Sequence, residues 1–328
     1  MSKERIQKAL ARQGLGSRRQ IEGWIKEGLI KLNGVEVELG QLVENGDTVM
    51  YSGRKIIVRD PLPTLPRVLM YHKPEGEVCS RADPQGRVTI FDKSPGLKHS
   101  RWIAVGRLDI NTSGLILLTD NGDLANKLMH PSSQLQREYA VRVQGKASAA
   151  QLKQLTHGVE LEDGRARFED IMHRPADDDN GSGKRGMNHW YHVVLMEGRN
   201  REVRRMWEAV NLRVSRLMRV RYGSVMMKKS LRPGQYRELD AQEVRELAEL
   251  ADITYANELR SGIPVRKSFR MTKHKPAASR GGSGGRADNR TGDRTTHGRS
   301  AKRAEGRGGA GKSLPGAGRR KVSREKRR

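Results

Sequence analysis

The chain has 328 residues, room for about two domains of roughly 150 residues each. Its 64 Lys and Arg against 38 Asp and Glu leave a formal net charge of +26, a field that draws polyanions, nucleic acid first among them. A single cysteine, Cys79, excludes an intramolecular disulfide and a cysteine-rich zinc site, and no run reaches the ~18 apolar residues of a membrane span.

The first 30 residues lack the continuous apolar core of a signal peptide, so a soluble cytoplasmic protein is expected. The charge is not all in one place. Residues 273–328 hold 18 Lys and Arg and 4 Asp and Glu, a net of +14, which leaves +12 on the rest. A solubilising tail therefore does not account for the whole field.

Residues 3–58 read as a compact unit. Ile6, Ala9 and Leu10 recur at helical spacing and stop at Gly14-Leu15-Gly16. Ser17 and Gln20 have the spacing of a capping box for a second helix, with Ile21, Trp24 and Ile25 as its apolar stripe. "IKLNGVEVEL" then places Asn33-Gly34 between alternating apolar residues, a hairpin signal. Arg5, Lys8, Arg12, Arg18, Arg19 and Lys26 lie off the apolar stripes or at the turn between the helices. Such residues commonly form a solvated face, but this set is one-sided in charge. The order of helix, tight turn, basic helix and hairpin resembles the αL RNA-binding motif, and that resemblance implies a grip on structured RNA through these six side chains.

Residues 59–66, "RDPLPTLP", carry three prolines and read as a semi-rigid linker. A second domain is expected over residues 67–254. "RVLMYHKP" and "GLILLT" read as strands, "DNGDLANKLMHP" as a turn and a short helix stopped at Pro131, and "REYAVRVQG" as an alternating strand. "ASAAQLKQLTHGV" is a helix ending near Gly158. "RARFEDIMHRP" and "HWYHVVLMEG" look like two strands joined by a Gly-rich connection. Strands dominate in antiparallel-looking pairs with helices between them, so the expected class is α+β with an antiparallel sheet. Residues 277–328 have too little apolar surface to offset the entropy of ordering and are expected to form a disordered basic tail.

Most apparent motifs carry no chemistry. "DDD" at 177–179 lies in a Gly-rich connection without a partner His or Cys, and "GSGKRG" lacks the Lys-Ser/Thr of a phosphate loop. His189 and His192, three apart on an expected strand, point to opposite faces and cannot share one metal. No Gly-rich fingerprint follows a strand to hold a dinucleotide or methyl donor. No cofactor and no metal are expected. Asp109, in "GRLDINTSGLILLTDNG", is by composition a turn former, its carboxylate bonding backbone amides.

That stretch resembles the signature of the pseudouridine synthases, in the branch acting on small- and large-subunit ribosomal RNA. "YHKPEGEVCSRADPQGR", "QREYAV" and "EGRNREVRRMW" agree with it in order and spacing. The resemblance implies isomerisation of uridine to pseudouridine, without redox cofactor or metal, on a base flipped out of its helix. Within the branch, the basic tail and "GRNREVRRMWE" are most similar to members that act on the large subunit. Large-subunit ribosomal RNA, or a precursor particle, is therefore the expected partner, met by a monomer. Small-subunit RNA and a non-catalytic assembly factor are the alternatives.

The resemblance makes Asp109 the nucleophile or base towards the ribose, Tyr139 the residue stacking on uracil, and Leu231 the apolar residue on the base's other side. It also gives Arg107 the space that the flipped base vacates. A buried carboxylate stays ionised only beside a cation. Val203, Met206, Trp207 and Val210 form one helical stripe, and Arg204 lies on its flank while Arg201 and Arg205 point away. Arg204 is the expected partner on both grounds.

Overall fold

The computed structural model describes residues 3–60, 64–97, 100–174 and 188–255. The expected acidic connection at 177–179, "GSGKRG" and the tail at 277–328 lie outside the described residues, as do residues 61–63 of the linker. Among the described residues no helix is long and apolar enough to cross a membrane.

Two helices open the chain, α1 (Ile6–Arg12) and α2 (Arg18–Lys26). The expected capping box is present: Gln20 N donates to Ser17 Oγ at 3.1 Å and Ser17 N to Gln20 Oε1 at 2.8 Å. A reciprocal cap of this kind stabilises a helix by about 1 kcal/mol. Asn33 and Gly34 have φ of +51° and +93°, the left-handed pair required by a tight hairpin between Ile30–Leu32 and Val35–Glu36. Ile6, Leu10, Ile21, Ile25, Ile30 and Val49 close the small core of this segment. Trp24 is only half-buried and stacks on Tyr51, with ring centroids 4.3 Å apart. Leu65, in the expected linker, is buried in a core of the larger domain.

The larger domain is organised by one sheet. Its strands run side by side in the order Asp170–Arg174, Asn188–Leu195, Arg137–Gln144, Arg213–Tyr222, Ser113–Thr119, Val68–Lys73 and Tyr236–Glu238. The pairings are antiparallel except one: Arg213–Tyr222 runs parallel to Ser113–Thr119, with Met218 opposite Ser113 and Arg219 opposite Gly114. The sheet is thus antiparallel as expected apart from this one pairing, which makes it mixed. The parallel contact joins segments about a hundred residues apart, and no turn signal announces it.

Alternate residues feed two cores, as the two-residue period of a strand demands. Leu69, Tyr71, Ile116 and Leu118 join one; Val68, Met70, Leu115 and Leu117 join the other. This double burial explains why "VLMY" and "LILL" read as unbroken apolar runs. The helices α3 (Gly122–Met129) and α6 (Ala241–Glu249) supply the second core, through Leu124, Leu128, Val244 and Leu247. The helices α4 (Ala149–His157) and α5 (Glu202–Ala209) supply the first. The α5 stripe is buried as expected, with Trp207 fully enclosed beside Tyr191 and Phe168.

Gly114 is where the parallel pairing is tightest. Its φ is +106°, and a Cβ there would stand 2.3 Å from Arg219 O and 2.6 Å from Arg219 N. Only glycine lets the two backbones approach so closely.

Candidate active site

The turn at Asp109 is held from outside. The Asp109 carbonyl accepts from Thr112 N at 3.0 Å and closes it. Beneath, the fully buried Lys73 donates from Nζ to Thr112 O (2.8 Å), Pro74 O (3.0 Å), Asp109 O (3.1 Å) and Ile110 O (3.5 Å). Burial lowers the Lys73 pKa, and the nearby carboxylates of Glu77 and Asp109 oppose that shift. An aspartate serving only as a turn former would commit its carboxylate to backbone amides. Here the backbone carbonyl makes that closure, and the half-buried side chain borders a cleft of about 680 Å³.

Tyr139 and Arg107 line the same cleft. Tyr139 is buried on Arg137–Gln144, in phase with Val141 and Val143, while Arg107 is exposed at the mouth of the Asp109 turn. Three of the expected residues are therefore brought together. Cys79 joins them at the wall, where Leu108 N donates to its Sγ at 3.4 Å, and burial raises its thiol pKa.

Arg204 is placed behind this wall rather than in it. Its guanidinium donates to Asn111 O at 2.9 Å and Val214 O at 3.1 Å. Among the described residues no ion pair joins it to Asp109; the carboxylate's charge reaches it, opposing the lowering of its pKa by burial and by Arg201. The stripe argument finds the right flank of α5. That flank faces Arg213–Tyr222 and the Asp109 turn, so Arg204 braces the backbone two residues beyond the carboxylate.

Leu231 is not among the cleft residues. It packs against the second core, and its carbonyl accepts from His72 Nδ1 at 2.7 Å. Leu108, Leu195 and Leu217 are among the apolar side chains that do border the cleft.

The six basic residues of the first segment divide. Lys8 pairs with Asp123 of α3 at 2.8 Å, and Arg12 pairs with Glu4 and donates to Arg59 O at 2.7 Å. Arg18 and Arg19 are exposed and border a second cleft, of about 820 Å³, together with Arg59 and Arg101. Arg5 and Lys26 are exposed elsewhere on the segment.

Lys73, Arg137, Arg219 and Glu202 are the site residues that sequence reading missed. A signal existed for the two arginines. Arg137 alternates with Tyr139, Val141 and Val143, and Arg219 falls two residues after Leu217, so both are in phase with a buried face.

Glu202 sits at the start of α5, 3% exposed, with Oε2 accepting from Arg199 N at 2.9 Å. Burial raises its pKa to about 7, and a hydrogen bond to Glu197 adds to the rise while the Arg199 amide opposes it. A carboxyl whose folded pKa is raised contributes stability that is complete below about 4.5, its unfolded value, and lost as pH passes the folded value. Glu202→Gln keeps the shape without the titration. Melting temperatures of the two proteins should coincide near pH 5, and the variant should melt higher by pH 8.5. Parallel melting curves across that range would show that Glu202 does not titrate there.

Comparison with known proteins places this fold. The RNA pseudouridylate synthase family matches residues 67–209, and the S4 domain family matches residues 4–49. The chain is 53% identical over 246 residues to the ribosomal large subunit pseudouridine synthase B of Pseudomonas aeruginosa, covering 75% of this chain and 62% of that one. It is 49% identical over 272 residues to the protein of that name from Escherichia coli strain K12, covering 82% and 90%. The chain belongs to the RNA pseudouridylate synthase family. The family's reaction is the isomerisation of uridine to pseudouridine in RNA, and this chain is one of its enzymes. A crystal structure of a pseudouridylate synthase, 24% identical, matches 74% of this chain and 99% of its own with a TM-score of 0.51, so the synthase fold is shared. The N-terminal segment, read from its basic helix pair, is the S4 domain.

Proposed function

We propose that the enzyme isomerises a specific uridine of large-subunit ribosomal RNA, with Asp109 acting on the ribose. The observation that supports Asp109 is the division of labour in its turn: backbone carbonyls and Lys73 hold the loop, which leaves the carboxylate to the cleft. The target atoms are inaccessible inside a stacked helix, so the uridine is flipped into the cleft. There Asp109 meets the ribose as nucleophile or base, the Tyr139 ring stacks on the uracil, and Arg107 occupies the gap left in the RNA. Arg204 positions the Asp109 turn through Asn111. Arg18 and Arg19, free of ion pairs among the described residues, contact phosphates as the S4 domain docks.

The choice of large-subunit RNA rests on the relatives of that name, which are identical to this chain at about half of the aligned positions. The enzyme works as a monomer in the cytoplasm, on free RNA or on an assembling subunit. Mapping pseudouridines in ribosomal RNA from cells with and without the gene tests the assignment. One modified position should vanish from the large-subunit RNA and return with the intact gene. A loss confined to small-subunit RNA would overturn the substrate.

A further inference from the structure

Isomerisation imposes a demand that Asp109 does not meet. When the C1′–N1 bond breaks, its electron pair leaves with uracil, whose negative charge spreads over N1, O2 and O4. The ring then turns so that C5 can bond to C1′; the C5 proton is lost to water and N1 takes one up. That turn runs about the axis through N3 and C6. It exchanges N1 with C5 and O2 with O4, so both orientations present a carbonyl oxygen at the same place. One fixed donor can hold the detached base throughout. The suitable group is a buried cation that donates, accepts nothing, and is not already neutralised.

Arg219 has these properties. It lies on Arg213–Tyr222, lines the cleft with Asp109 and Tyr139, and is 2% exposed. Its Nε donates to Leu115 O at 2.7 Å, and its guanidinium stands 5.1 Å from the Tyr222 ring centroid. Its Nη2 is shut off from solvent and has no hydrogen-bond partner. Among the described residues no carboxylate pairs with Arg219. The second buried guanidinium of the cleft, Arg137, differs in that both terminal nitrogens are committed: Nη1 donates to Met196 O at 2.7 Å and Nη2 to Tyr222 Oη at 3.4 Å. A buried charge without a counter-charge is costly in the free protein. The cost is recovered when an anion enters. The Gly114 contact fixes the Arg219 backbone against the strand that leads out of the Asp109 turn, so the donor and the carboxylate are built on one rigid frame.

We propose that Arg219 is the uracil-holding residue of the cleft, its unpartnered Nη2 turning out of the cleft wall as the base enters to donate to O2 before the ring turns and to O4 afterwards. This rests on the reading of the cleft as the place of uridine isomerisation. It also assigns a basis for rejecting cytosine, whose position 4 carries an amino donor that would face the guanidinium after the turn.

The test uses the full chain and a large-subunit RNA transcript. Arg219→Lys keeps charge but not the fork, and Arg219→Met removes both. Each should lower kcat, by about 10²-fold or more for Met, with RNA affinity little changed. Detached uracil should escape, leaving abasic sites that aniline cleaves. If the variants fold poorly, the wild-type enzyme is given transcripts with 2-thiouridine or 4-thiouridine at the target. Sulfur is the weaker acceptor, so both should slow turnover, because each carbonyl meets Arg219 in one orientation. Weakened RNA binding with kcat intact would make Arg219 a phosphate contact and overturn the proposal. Thio-substituted transcripts turned over like uridine would overturn it equally. Wild-type enzyme that forms no pseudouridine in this RNA would instead overturn the reading beneath it.

Discussion

Asp109→Asn should eliminate pseudouridine formation, by about 10⁴-fold or more as for the loss of other essential catalytic groups, while the protein folds and binds RNA as before. The amide has the shape of the carboxylate but can neither attack a sugar carbon nor take a proton at neutral pH. The fold has no reason to suffer, because the turn closes through the Asp109 carbonyl and is tied down by Lys73. The measurement is single-turnover conversion of a large-subunit transcript, beside a binding curve and a melting curve for the same preparation. Product at the wild-type rate would remove Asp109 from the chemistry.

Lys73→Met should cost stability and activity together. The ammonium is fully buried, and its three protons serve three carbonyls of the Asp109 loop and that of Pro74. Methionine fills the space of the stem but takes the donor from Thr112 O and Pro74 O, whereas Asp109 O and Ile110 O keep the amides of Thr112 and Gly76, at about 1–3 kcal/mol for each buried group stranded. A total of about 3–5 kcal/mol corresponds to a fall of roughly 10 °C in Tm for a unit of this size. Below the melting range kcat should still be reduced, because the Asp109 backbone has lost its anchor. A variant that melts with the wild type would show that the loop holds itself.

These two residues differ in how far the sequence exposes them. Asp109 stands in a stretch whose turn residues and following apolar run are legible, and family resemblance adds its chemistry. Lys73 ends the strand Val68–Lys73 and reads as an ordinary terminal charge; only the loop folding back over it, 36 residues later, gives it a task. Arg204 shows the same divide. The stripe of Val203, Met206, Trp207 and Val210 predicts its flank correctly. Its partners, Asn111 and Val214, become neighbours only through the parallel strand pairing, which leaves no local mark.

Local rules account well for the caps, for the Asn33-Gly34 hairpin and for the doubly buried strands. They fail where a long-range contact decides. The resemblance sets Leu231 against the base, yet the strand after it pairs with Val68–Lys73 and draws it towards the second core. The spread of the S4 arginines is a similar case. Lys8 and Arg12 carry the same charge as Arg18 and Arg19, but internal carboxylates and a carbonyl claim them.

The position of Arg213–Tyr222 also governs when the enzyme becomes competent. That strand lies between Ser113–Thr119 and Arg137–Gln144, so the sheet has a gap until it arrives. Contacts of such sequence separation form slowly. During synthesis the S4 segment leaves the ribosome before this strand does and draws its core from residues 6–58 alone, whereas the catalytic floor waits for its last central strand. A nascent chain halted before residue 222 would hold RNA without being able to modify it.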